Sequence, residues 1–361
     1  MNMLQSNILS DPQFWELIIG ENLEPKSDTE YKIRGKKCIL TIRDTTACIF
    51  NGEDRLVLTI DDRSQPTSIL LRALLSLTKF ESKKCLIAGG TGYIGSFLRK
   101  ALQLVRWSVD ILSRRPNLGV HTDYERILDL DLSKYDLVIN LCGENILKLL
   151  CLPFSTKSLF ESRIKPTRFL ARKLKELKCG PILVNASAIG YYDTDGEVDE
   201  NTKTKLTNRI SQLVFEWERE ALEYNQTAIF RFGFVLGQHS PIFKVKKIFN
   251  FFPVGLDIRC QAWINWTCLE DILSYIALTL DGLRGPINVV SGSLTFSEFQ
   301  DIFFRPKFCL PTPKSLFDFL NKDLSHLIFQ KFTVKSLHYQ TDFSFRTYIN
   351  TIFEINKFIR Q

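Results

Sequence analysis

Three glycines recur every third residue in Gly89-Gly90-Thr91-Gly92-Tyr93-Ile94-Gly95, directly after the apolar run Cys85-Leu86-Ile87-Ala88. The run suits a short buried parallel strand. Beyond it Phe97, Leu98, Ala101, Leu102 and Val105 recur at helical spacing. Strand, glycine turn and helix in this order are suited to holding a pyrophosphate. Gly89 makes the tight turn, Gly92 lets the backbone approach the phosphates, and Gly95 lets helix and strand pack closely. The free N–H groups at the helix start then face the anion. A glycine turn that only packs is the alternative, and the strand and helix around it favour the ligand.

Other residues with chemistry lie at the ends of later apolar runs. Trp107 to Leu112 reads as the second strand and ends in Ser113-Arg114-Arg115-Pro116. A dinucleotide fold reads the adenosine ribose at this tip, and arginines there accommodate a 2′-phosphate. Ser113, Arg114 and Arg115 therefore point to NADP(H). Asp110 is the competing acid, but it precedes the tip. Arg126 to Asp131 reads as the third strand and Asp136 to Leu141 as the fourth. Leu141, Cys142 and Gly143 close the fourth strand beside the expected cofactor. Pro181 to Ser187 reads as the next strand, with Gly190-Tyr191-Tyr192 just beyond. Ser187 at that tip could hold a reacting oxygen, or it is a satisfied turn serine. Tyr191 and Tyr192 are candidates for proton transfer, or for packing at a pocket wall.

The chain of 361 residues exceeds one typical domain. Residues 1–80 form an α+β appendage: a helix start at Asp11-Pro12, strand-like runs at 37–43 and 47–60 with Asn51-Gly52 as a hairpin signal, and a helix from Pro66 to Thr78. Residues 81–240 read as the dinucleotide-binding domain. Residues 241–361 read as a substrate and lid region, with some segments returning to the first sheet. The tail from Pro311 reads as two or three short helices. The fold class is α/β, a doubly wound parallel sheet.

Hydrophobic content of 45% and charged content of 24% are ordinary for a soluble globular protein. The net charge of +7 is spread out, and the densest basic patch, Lys244, Lys246 and Lys247, reads as a solvated face, not a nucleic-acid site. Nine cysteines without a C-x-x-C pair suit reduced thiols in a cytoplasmic protein. The four histidines lack metal-ligand spacing, so no metal site is expected. No apolar run reaches the length of a membrane span, and the first fourteen residues lack a signal-peptide pattern.

The region from about 83 to 358 resembles the extended short-chain dehydrogenase/reductase superfamily. Within it the chain is similar to the atypical YfcH-type "epimerase family", whose members are called NAD-dependent epimerase/dehydratase-like. The residues that carry the resemblance are the glycine turn, Ser113-Arg114-Arg115-Pro116, Val138 to Glu144, Ser162-Arg163, Thr167-Arg168 and Ala186-Ser187-Ala188-Ile189-Gly190-Tyr191-Tyr192. Further on they are Trp217-Glu218, Arg231 to Gly237, Trp263, Trp266, Glu270-Asp271 and Gly285 to Asn288. The resemblance implies a Rossmann domain, a small C-terminal substrate domain and NADP(H). It leaves the substrate open.

Two departures bear on chemistry. The superfamily's Tyr-x-x-x-Lys pair, in which lysine assists a phenolate base, is absent: none of the ten tyrosines has lysine four residues later. The helix expected to carry it, about 205–224, has no tyrosine before Tyr224. Where relatives have histidine before the paired acids, this chain has Cys268. Two functions follow. One is an NADP(H)-dependent oxidoreductase or epimerase acting on a small, polar or nucleotide-linked molecule, in which Ser187, Tyr191 and Tyr192 act on substrate. The other is an NADP(H)-binding regulatory or interaction protein without turnover, related to cell division. Both are compatible with an oligomer.

Overall fold

Both faces of the first predicted strand are apolar, so both must be covered. The computed structural model describes residues 3–43, 45–52, 54–60, 62–63, 65–80, 83–113, 120–121, 127, 130–144, 156–243, 246, 254–257, 262–311, 315, 318, 322–323, 325–326, 329–339, 341 and 344–360. The chain opens with helices α1 (Met3–Ser10) and α2 (Pro12–Ile19). Asp11 caps α2, its Oδ1 accepting from the Gln13 N–H at 2.8 Å. Five strands follow as an antiparallel meander: β1 (Leu23–Pro25), β2 (Glu30–Ile33), β3 (Ile39–Arg43), β4 (Thr46–Asn51) and β5 (Asp54–Thr59). Gly52, at φ +65°, turns the last hairpin. Helix α3 (Pro66–Leu77) leads into the main sheet.

That sheet is built from β6 (Lys84–Ala88), β7 (Ser108–Ser113), β8 (Val120–His121), β9 (Leu137–Asn140), β10 (Ile182–Ala188), β12 (Thr227–Phe232) and β16 (Gly285–Val289). All its pairings are parallel, in the spatial order β16-β12-β10-β9-β6-β7-β8. The chain runs outward from β6 to β8 and then returns past β6 to β9, which places a topological switch point between β6 and β9. This is the doubly wound Rossmann arrangement. Helices α4 (Tyr93–Leu104), α5 (Thr156–Lys175), α6 (Arg209–Leu222) and α7 (Ile272–Leu280) pack on it. Cys85 and Ile87 point toward α4, α7 and α3, whereas Leu86 and Ala88 point toward Leu170 and Leu174 of α5. The first of these cores runs on without a break into Phe14, Trp15, Leu40 and Ile49 of the appendage.

Smaller pieces complete the chain: β11 (Gly196–Val198), β13 (Phe234–Leu236), β14 (Val254–Asp257), β15 (Trp263–Cys268), β17 (Gly292–Thr295), α8 (Phe296–Phe303), β18 (Phe308–Pro311), β19 (Phe332–Val334) and α9 (Phe345–Arg360). Strands β13, β15 and β17 form one sheet, and β11 pairs with β19. Trp266, Phe299, Phe303 and Tyr348 fill a second core beneath α8 and α9.

Two expectations need correction. Among the described residues the third strand of the sheet is Val120–His121; of the expected strand 126–131, Ile127, Leu130 and Asp131 lie outside the sheet, and 126, 128 and 129 lie outside the described residues. Ile127 and Leu132 are apolar because they are buried against the sheet, not because they pair in it. The tail closes in one helix of sixteen residues, not in two or three short ones alone, because Ile349, Ile352 and Ile355 supply a continuous buried stripe. Most of the expected lid, 244–245 and 247–253, lies outside the described residues.

Candidate functional site

At the switch point the backbone path leaves no room for side chains. Gly89 has φ +79°, and a Cβ there would stand 2.8 Å from the Leu141 carbonyl oxygen. A Cβ on Gly95 would stand 2.6 Å from the Gly90 Cα. Both clashes are with backbone, which cannot move aside. Gly92 is exposed, sits at the N-cap of α4 and accepts from the Ser96 N–H at 2.9 Å. The first-turn N–H groups of Tyr93, Ile94 and Gly95 thus begin a helix without earlier partners. Thr91 is half-buried between the turn and the helix. Across the switch point Leu141, Cys142 and Gly143 follow β9, with the Cys142 N–H donating to Asn140 Oδ1 at 3.2 Å. The turn and the β9 tip are therefore brought together. Ser113 ends β7 and is buried, whereas Arg114 and Arg115 lie outside the described residues.

The other candidates meet at the tip of β10, where parallel pairing puts Ser187 beside Arg231 of β12. Ser187 is 3% exposed and donates to Glu218 Oε1 of α6 at 2.6 Å. Glu218 also takes a two-pronged bond from Arg231, Nε to Oε1 at 2.8 Å and Nη2 to Oε2 at 2.7 Å. Arg231 Nη1 donates to the Tyr192 hydroxyl at 3.0 Å. That hydroxyl lies 2.8 Å from both Asn288 Oδ1 and the Asp199 carbonyl, to one of which it donates. The guanidinium carbon sits 3.6 Å above the Tyr191 ring. Burial works against the Arg231 charge, but the Glu218 bonds more than offset it and raise the pKa above its usual range. Burial also pushes the Tyr192 hydroxyl up to about 12, against the lowering effect of Arg231. Among the three candidates Tyr191 alone keeps a half-buried surface; Ser187 and Tyr192 are buried.

A Tyr-x-x-x-Lys pair would need two residues four apart on the α6 face toward the β10 tip. Ile210 and Val214 stand there and pack with Leu159, Ala188 and Tyr191. Gly190 is tied to this wall, since a Cβ on it would stand 2.7 Å from Ile210 Cγ2. Thr167 sits behind, receiving the Trp217 indole N–H at 2.9 Å and an Asn140 amide N–H at 2.8 Å. Arg231 is 2% exposed and locks the strand end through its bonds to Glu218 and Tyr192. Glu218 and Asn288 gave no chemical signal in sequence beyond the two family motifs that contain them, Trp217-Glu218 and Gly285 to Asn288. Trp266 is 2% exposed in the second core, while Trp263 is half-buried.

Among the described residues no helix is long and apolar enough to cross a membrane. No protein-family model matches the chain. An epimerase family protein of Mycobacterium bovis is 32% identical over 236 residues, which are 61% of this chain and 77% of the relative. The chain belongs to the epimerase family. The fold of this epimerase family member is similar to that of human epimerase family protein SDR39U1, solved with NADPH, at TM-score 0.64 and 24% identity over 76% of this chain and 99% of that one. It is also similar to a nucleoside-diphosphate sugar epimerase of Corynebacterium glutamicum, at TM-score 0.58 and 17% identity over 99% of this chain and 93% of that one. The second alignment takes in residues 1–80, so the appendage too has a counterpart there.

Proposed function

We propose that this epimerase family member binds NADP(H) across the β6–β9 switch point and acts as an oxidoreductase or epimerase on a small polar or nucleotide-linked molecule. The observation that carries this reading is the glycine turn: two positions where a Cβ would strike backbone, at the start of a helix with free N–H groups. The first-turn amides of α4 would hold the pyrophosphate. Ser113, Arg114 and Arg115 would hold the adenosine 2′-phosphate, and Leu141 to Gly143 would border the nicotinamide half. The cofactor, when bound, supplies or accepts hydride. Ser187 spends its only proton on Glu218, so toward a substrate it can act only as an acceptor and would orient a hydroxyl. Tyr191, the half-buried phenol, is assigned proton transfer, and Tyr192 holds Arg231 and Asn288 in place.

Titration with NADPH and NADH tests the cofactor. NADPH is expected to bind more tightly, and Arg114→Ala/Arg115→Ala to remove the preference. NADPH oxidation against a panel of aldehydes, ketones and nucleotide sugars tests catalysis. Tyr191→Phe is expected to lower turnover by roughly 10²-fold or more with cofactor affinity retained; equal turnover removes Tyr191 from the mechanism.

The second reading, NADP(H) binding without turnover, is favoured by one observation: Ile210 and Val214 occupy the α6 face where the acid/base pair would stand. A chain that binds NADPH but turns over no member of the panel supports it.

A further inference from the structure

Tyr93 is the first residue of the helix that follows the phosphate turn. Its hydroxyl is buried in the loop after β13, 2.9 Å from the place a Gly237 Cβ would take. Ser240 and Glu270 face it, yet it makes no hydrogen bond of good geometry. A buried hydroxyl without a partner is costly, so its retention asks for an explanation. Glu270 is 1% exposed, and its Oε2 accepts from Cys268 Sγ at 3.1 Å and from the Tyr348 hydroxyl at 2.5 Å. The Tyr348 oxygen also lies 3.0 Å from the Leu236 carbonyl. Tyr348 belongs to α9 and stacks on Trp266 with ring centres 5.6 Å apart. One turn pair further along, Asn356 of α9 donates to Gln238 Oε1 at 3.0 Å. The loop from Leu236 to Ser240 thus meets the phosphate-turn helix on one side and the C-terminal helix on the other. Helix α9 reaches the appendage as well, where the Cys38 thiol lies 3.8 Å from the Phe358 carbonyl.

We propose that Glu270 and Tyr348 are positioning residues of the dinucleotide site, tying the phosphate turn through Tyr93 to the C-terminal helix so that dinucleotide binding and α9 docking are linked. The inference rests on the dinucleotide reading above. A helix start binds an anion only where its N–H groups are correctly placed, and Tyr93 sets that place from behind. The Tyr93 hydroxyl lies against Gly237, next in chain to the Leu236 carbonyl that Tyr348 meets, so the α4 start and α9 bear on the same loop. The link is reciprocal: if docked α9 favours the dinucleotide, the dinucleotide favours docked α9.

The test uses the full chain, NADPH titration and amide hydrogen exchange. Tyr93→Phe and Tyr348→Phe each remove one oxygen. Tyr348→Phe is expected to weaken NADPH about fivefold, the worth of one net hydrogen bond, and Tyr93→Phe, whose hydroxyl makes no bond of good geometry, by less. The double variant is expected to lose less than the product of the two, which marks coupling. NADPH should slow exchange across 345–360 in the wild type and not in Tyr348→Phe. If Tyr348→Phe lowers the melting temperature but leaves NADPH affinity and that protection unchanged, Tyr348 only packs and the proposal is overturned. Should Tyr348→Phe not fold, Tyr93→Phe decides by the same two readouts. A wild type that binds neither NADPH nor NADH sinks the dinucleotide reading and this link with it; a wild type that binds, with both variants equal to it, overturns the link alone.

Discussion

At the phosphate turn the determining feature is missing atoms: Gly89 and Gly95 are required because Leu141 and Gly90 backbone fills the space a Cβ would need. At the β10 tip the determining feature is the opposite, five polar side chains drawn together from β10, the turn after it, α6, β12 and β16. The turn is a local structure of seven consecutive residues. The network spans Ser187 to Asn288 and exists only once two parallel registers, β10 on β12 and β12 on β16, are set. A ligand can use the turn's free N–H groups. The network's donors and acceptors are already spent on one another, so its contribution is rigidity and a fixed role for Ser187.

The largest expected effect tests that claim. Glu218→Ala leaves the Arg231 cation buried and unpaired and is expected to cost about 3–5 kcal/mol in urea unfolding. The double variant Glu218→Leu/Arg231→Met should be less destabilised than Glu218→Ala. If Glu218→Ala costs under about 1 kcal/mol, the pair is open to water and the contrast fails.

A buried carboxyl that lacks such a pair sharpens the comparison. Asp271 precedes α7, but its side chain does not cap the helix. Its oxygens are buried without a hydrogen bond of good geometry, and burial, only partly offset by Tyr339 and Ser274, raises its pKa to about 7. Since the folded value lies above the unfolded one, this group favours folding below about pH 4, and that contribution is lost as pH rises to about 7. The loss should approach about 4 kcal/mol at most, and Asp271→Asn should flatten this part of the stability profile. An unchanged profile in the variant would assign the slope elsewhere.

Gly95→Ala forces backbone apart and is expected to cost about 1–3 kcal/mol and to abolish NADPH binding, read by unfolding and titration together. Retained binding would mean that the turn relaxes more easily than its contacts indicate. Tyr192→Phe is the smallest change, about 1 kcal/mol of stability with NADPH affinity unaltered. A large loss of NADPH affinity there would join the two regions that the comparison separates.

The glycine turn, α4, the apolar strands β6, β9 and β10, and the Asn51-Gly52 hairpin were legible because each is written in adjacent residues. The third strand was not: Leu128, Leu130 and Leu132 alternate in sequence as a strand would, but the burial of Ile127 and Leu132 comes from packing against the sheet. The tail was read as two or three short helices, whereas α9 runs sixteen residues because its isoleucine stripe is buried by both cores in turn, Ile349 and Ile352 in the second and Ile355 and Ile359 in the first. Ser187 and Tyr192 were legible as polar residues at a strand tip, but their partners were not.

By itself the sequence determined the parallel α/β class, the place of the phosphate turn and the absence of Tyr-x-x-x-Lys, since backbone demands and residue identities are local properties. Only the tertiary structure decided that Ser187 donates to Glu218, that Arg231 is enclosed, and that the Tyr93 hydroxyl packs at Gly237. Those contacts join residues tens to hundreds of positions apart. Hydrogen-bond geometry and burial at such separations depend on strand order and helix packing, which are properties of the whole fold.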